Sequence, residues 1–88
     1  MNNAAKWVPL RHYLKLQIGR HRELRLGFRQ IEAILGDGLP RPARKSPEWW
    51  ANDPANAQAR AWLDVGWLVL SADLQAEEVL LEQVPQPA

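Results

Sequence analysis

The amino-acid sequence predicts a small α+β domain: three helices with a small antiparallel sheet, in the order helix, strand, helix, loop, helix, hairpin. Three observations carry that expectation. Apolar residues recur at three-to-four spacing in three stretches, the pattern of a helix with one buried face. Shorter stretches alternate or run apolar, as strands do. Glycines and prolines fall between these stretches, where the chain has to stop and turn. A chain of 88 residues has room for one domain, and one of that size buries only about 60–65% of its unfolded surface.

Residues 1–6 are expected to be flexible, the domain to run from 7 to 84, and 85–88 to form a disordered tail. The first helix spans Trp7 to Gln17, with Trp7, Leu10, Tyr13, Leu14 and Ile18 inward and Arg11, His12 and Lys15 outward. Pro9 suits its first turn, where the missing N–H has no helical partner in any case. Gly19 stops it. Glu23 to Phe28 alternates polar and apolar and reads as a half-buried strand. A second helix, Phe28 to Leu35, carries the stripe Phe28, Ile31, Ile34, Leu35, and Gly36-Asp37-Gly38 ends it. The stretch LPRPARKSPEWW, residues 39–50, holds three prolines. These argue against a long helix or a central strand, so an ordered loop with one helical turn is expected. Asp53 or Asn56 caps a third helix, Ala55 to Val65, which Gly66 ends. Trp67–Ala72 and Val79–Val84 form a hairpin through residues 73–78. The order is winged helix-turn-helix-like, an analogy of element order alone. About eighteen residues separate the second and third helices, where a tight helix-turn-helix uses three or four.

The net charge of +1 conceals an asymmetry. Residues 1–45 carry ten Lys/Arg against three Asp/Glu, and residues 46–88 one Arg against seven Asp/Glu. If folding keeps these apart, one face is basic, which suits nucleic acid or an acidic partner. If folding interleaves them, the asymmetry vanishes. Cysteine is absent, which removes disulfides, thiol catalysis and cysteine–zinc sites and fits a cytoplasmic location. The N-terminus lacks the pattern of a signal peptide, and no apolar run approaches the roughly 18 residues of a membrane span.

PLRHYL, FRQIEAILG, LP, AR followed by WWAND, and AQARAWLDVGW before an apolar hairpin together carry a family resemblance. The chain resembles a small uncharacterised bacterial domain family with the pattern PL-x-x-YL, F-x-x-IE-x-ILG-x-x-LP, AR, WWAN and AWL-x-x-GW. The likeness covers residues 7 to about 82. It implies a domain boundary and a bacterial source, and no activity. Pro42, Leu81 and Gln83 depart from the pattern, and the last puts in doubt any phosphate contact made by the final strand.

No catalytic constellation emerges. His12 and His21 lack further metal ligands nearby, the serines stand in no nucleophile motif, and the glycines form no phosphate loop. An enzyme, a metal site or a cofactor is therefore not expected. The basic residues are more informative. Arg20 and Arg22 precede the first strand, and Arg41, Arg44 and Lys45 sit in the proline segment; arginine forks match phosphate oxygens and base edges. On the third helix Asn56 and Arg60 share a face, and these are side chains that read adenine and guanine. Asp64 on that face argues against such a role. Trp62 and Trp67 are expected in the core. Trp49 and Trp50, if extended, point opposite ways, so that one is free to stack on a base or a partner. Both faces of the hairpin are apolar, which suggests cover from another subunit. The expectation is a small DNA-binding protein, regulatory or mobile-element associated, dimeric, that contacts double-stranded DNA. The alternative is a protein–protein interaction module, an inhibitor or accessory subunit, acting as a homo- or hetero-oligomer.

Overall fold

Helical structure begins one turn earlier than the periodicity indicates. In a computed structural model, which describes residues 4–85, Ala4–Trp7 form a 3₁₀ turn that runs into α1, Val8–Gln17. Trp7 is buried, and the Lys6 ammonium donates to the Gly38 carbonyl at 3.0 Å and lies 3.5 Å from Asp37. Residues 1–3 and 86–88, the latter most of the expected tail, lie outside the described residues.

β1, Glu23–Gly27, passes without a loop into α2, Phe28–Leu35. Gly36 closes α2 in the left-handed region at φ 70° and donates its N–H to Glu32, a conformation that costs glycine little. The proline segment is more helical than expected. Arg41–Lys45 form a short helix, α3, and Pro47–Trp50 a 3₁₀ turn. The correction has a simple cause: Pro42 and Pro47 each occupy a first-turn position, where proline removes a donor that has no partner. The third helix of the sequence reading is α4, Ala57–Leu63, shorter at both ends than expected. β2, Trp67–Asp73, and β3, Glu78–Gln83, follow.

The sheet is antiparallel with order β1-β3-β2. Its inner face, Leu24, Leu26, Trp67, Val69, Val79 and Leu81, packs on the core. The outer face carries Leu68 and Leu80, half-buried among charged neighbours, and a bulge between Val69 and Ser71 turns Leu70 out to 48% exposure. A ladder of aromatic rings fills the centre. Phe28 and Trp50 stack at 5.2 Å, Trp50 and Trp62 at 6.0 Å, and Trp49 meets Trp50 edge-on at 4.6 Å and Trp7 at 5.5 Å. Burying an indole strands its N–H unless an acceptor is near. Trp50 donates to the Ala43 carbonyl, Trp67 to that of Leu14, and Trp62 to the Asn52 side chain. No described buried side-chain polar atom lacks a partner. No helix among the described residues is long and apolar enough to cross a membrane.

Candidate nucleic-acid interface

Trp49 does not stand out as a free platform. It lies in a 3₁₀ turn rather than an extended strand, so both tryptophans of the pair turn into the aromatic ladder, with Trp50 buried and Trp49 half-buried between Trp7 and Trp50. Asn52 works across the fold. Its Oδ1 accepts from the Trp62 indole and the Val69 N–H, both at 2.9 Å, and its Nδ2 donates to the Val69 carbonyl at 3.0 Å. One side-chain amide thereby ties α4 to β2. Asp53 does make the local turn, accepting from the Ala55 N–H at 2.9 Å.

The basic residues of RPARK divide by task. Arg44 grips Glu32 with two nitrogens, at 2.9 and 3.2 Å, and Glu77 with its Nε at 3.1 Å, while its guanidinium lies 5.7 Å from the Phe28 ring. Its hydrogen bonds, with one from the Leu39 N–H, hold the Glu32 carboxyl below its ordinary value. Glu77 has φ 55°, rare for a residue with a side chain. Its carbonyl accepts from Phe28 at 2.7 Å and its carboxylate from Arg44, so both ends of the residue hold it there. A fork engaged by two carboxylates of its own chain is not presented to a ligand. Arg41 and Lys45 remain exposed and make no ion pair with the described residues.

Arg20 and Arg22 are likewise exposed and unpaired among the described residues, but they lie elsewhere. The Arg22 carbonyl accepts from Gln83, at the end of β3 farthest from the hairpin turn, whereas Arg44 reaches Glu77 within that turn. Roughly 17 Å of strand separates the two arginine clusters, so they do not merge into one face. The charge asymmetry of the sequence is partly cancelled by Arg11–Asp64, Arg25–Glu78 and Arg44–Glu77, each joining the basic half to the acidic half.

A third basic region is formed by α1 and α4 together. Two adjoining hollows, about 480 and 740 Å³, share Val8, Arg11 and Asp64 as walls. The first adds Arg60 and Ala57, the second His12, Lys15, Ile18 and Val65. Arg11 and Lys15 are four apart and so share one helix face, and α1 packs on α4, which brings Arg60 to the same groove. The one carboxylate in it, Asp64, is bonded by Arg11 at 3.3 Å. Lys15 and Arg60 are left without an ion pair among the described residues. Asn56 is half-buried at the residue before α4 and does not line the groove. No group of His, Cys, Asp or Glu among the described residues has the arrangement of a metal site.

The profile of a family described as a domain of unknown function, DUF7662, matches residues 7–83. The chain belongs to this family. Neither a curated protein nor a solved structure matches it. The DUF7662 span opens at buried Trp7 and closes at Gln83, the last residue of β3, so it takes in every element from α1 to β3. The groove lies wholly within that span. Of the residues expected from the sequence to contact nucleic acid, only Arg60 lines it. Arg11, His12 and Lys15 had been read merely as the outer face of the first helix. Their one-and-four spacing was visible, but their proximity to Arg60 required the packing of α1 on α4.

Proposed function

We propose that the chain is a small double-stranded DNA-binding protein that grips the phosphate backbone along α1 and α4. The observation that supports this reading is the charge of the groove: Arg11, Lys15 and Arg60 line it, with His12 beside them, against a single carboxylate already bonded to Arg11. Phosphate is the ligand such a surface suits, because it rewards several separated cations rather than one deep pocket. Arg20 and Arg22 do not line this groove; Arg22 lines a separate hollow with Glu23 and Glu82, so neither is counted among its cations. The apolar residues between the cations, Val8, Ile18 and Val65, suit contact with sugar carbons. Neither Arg44 nor the tryptophan pair enters this reading, because their polar and aromatic surfaces are engaged inside the fold.

Fluorescence anisotropy with a labelled duplex at about 50 mM salt tests it. Binding is expected, with log affinity falling against log salt at a slope of roughly −3 for three to four neutralised phosphates. Lys15→Ala and Arg60→Ala should each reduce that slope by about one. Arg41→Ala, which is in α3 and does not line the groove, should leave it unchanged. Absence of binding at low salt would overturn the reading.

A further inference from the structure

The two edges of the sheet are finished differently. On the β2 edge, Val69 directs its N–H and carbonyl outward, and the Asn52 side chain takes both. The next residue, Leu70, is bulged out of the ladder. On the β1 edge nothing comparable occurs. The phase of that ladder is fixed at both ends, because Gln83 donates to the Arg22 carbonyl and Phe28 donates to that of Glu77. In an antiparallel pair, alternate residues bond to the same neighbour. Arg22, Leu24, Leu26 and Phe28 therefore face β3, and Glu23 and Arg25 turn their N–H and carbonyl groups away from it. Among the described residues no group bonds them there. Both side chains are exposed, Arg25 to 65%.

The pattern along this edge is self-complementary. With Leu24 set opposite Leu24 of a second copy, an antiparallel pairing places Glu23 opposite Arg25 and Arg25 opposite Glu23. Those are the residues whose backbone groups point outward, so both pairs exchange both of their hydrogen bonds. Opposite charges directly across a strand pair stabilise it, and like charges oppose it. The leucines meet between them on the face that continues the core. From the free backbone groups and this charge register, we infer that β1 pairs antiparallel with β1 of a second copy, joining two sheets into one across a two-fold axis.

The test is sedimentation velocity up to millimolar protein, in the absence of nucleic acid so that it stands apart from DNA binding. Arg25 also bonds Glu78 at 2.9 Å within its own chain, so the charge series is made on a Glu78→Gln background. The parent is expected to dimerise. Adding Glu23→Arg sets arginine against arginine twice and should weaken the dimer about tenfold or more. Adding Arg25→Glu as well restores opposite signs and should recover most of that loss. Circular dichroism confirms that each variant is folded. A wild-type chain monomeric at millimolar concentration overturns the inference. So does a dimer indifferent to the swap, which would assign the contact to another surface such as the outer face around Leu68 and Leu80.

Discussion

The polar set Arg44, Asn52 and Gln58 with the indoles Trp50 and Trp62, and the groove between α1 and α4, draw on the same residue types, but they differ in where the polar atoms go. In the first, Arg44, Asn52, Gln58, Trp50 and Trp62 each bond to an acceptor or donor of the same chain. In the second, Lys15 and Arg60 have no ion pair among the described residues. A string of asparagine, arginine and tryptophan is therefore no sign of a ligand surface by itself. In a domain this small the core is thin, and polar side chains reach across it to bond elements that apolar contact alone holds weakly.

That contrast can be broken at its strongest point first. Trp50→Ala removes the ring at the centre of the aromatic ladder and should cost about 3–5 kcal/mol, read as a lowered denaturant midpoint with unchanged slope. Arg44→Met keeps an apolar stem over Phe28 but releases Glu32 and Glu77. A loss of about 1.5–3 kcal/mol is expected for hydrogen bonds to charged groups, towards the low end because the side chain is 31% exposed. The same variant has a pH signature. Glu32 titrates below its ordinary 4.5, first because Arg44 bonds it and next because of the Leu39 N–H. Its ionised form therefore stabilises the fold above pH 4.5, and that contribution is lost as pH falls through the lowered value. In Arg44→Met the acid limb of a stability–pH curve should be flatter; an unaltered limb would contradict the assignment.

Asn52→Ala should cost less, about 1–2 kcal/mol, because water reaches the exposed side of the bonds it breaks; thermal unfolding measures it. At the groove the expected effect on stability is smallest. Asp64→Asn breaks an exposed ion pair and should change stability by no more than about 1 kcal/mol. It also frees Arg11 and removes the groove's only carboxylate, so duplex affinity at low salt should rise severalfold. A fall in affinity would count against phosphate in that groove.

Much of the fold was legible because its signals are local. The stripes Leu10–Leu14 and Phe28–Ile31, the alternation of Leu24 and Leu26, and the stop at Gly36 all depend on neighbours within a turn or two. The proline segment misled because proline was weighed by number rather than position: Pro42 and Pro47 begin short helices. The sites were less legible, because partners lie far along the chain. Arg44 looked as available as Arg41 until Glu77, 33 residues on, closed over it. Asn52 gained its partner 17 residues on, and Arg11 met Asp64 across 53.

The Asn52 amide also bears on how large an assembly can grow. A sheet with two bare edges is a template for endless addition, each new strand offering the next a place to bind. Here one edge is already occupied by a side chain imitating a strand. A contact confined to the remaining edge closes on itself, so association ends at a pair instead of propagating into a fibre. Under the proposed β1 pairing, Asn52 would thus limit assembly as well as tie the fold, by holding the Val69 backbone groups on the opposite edge.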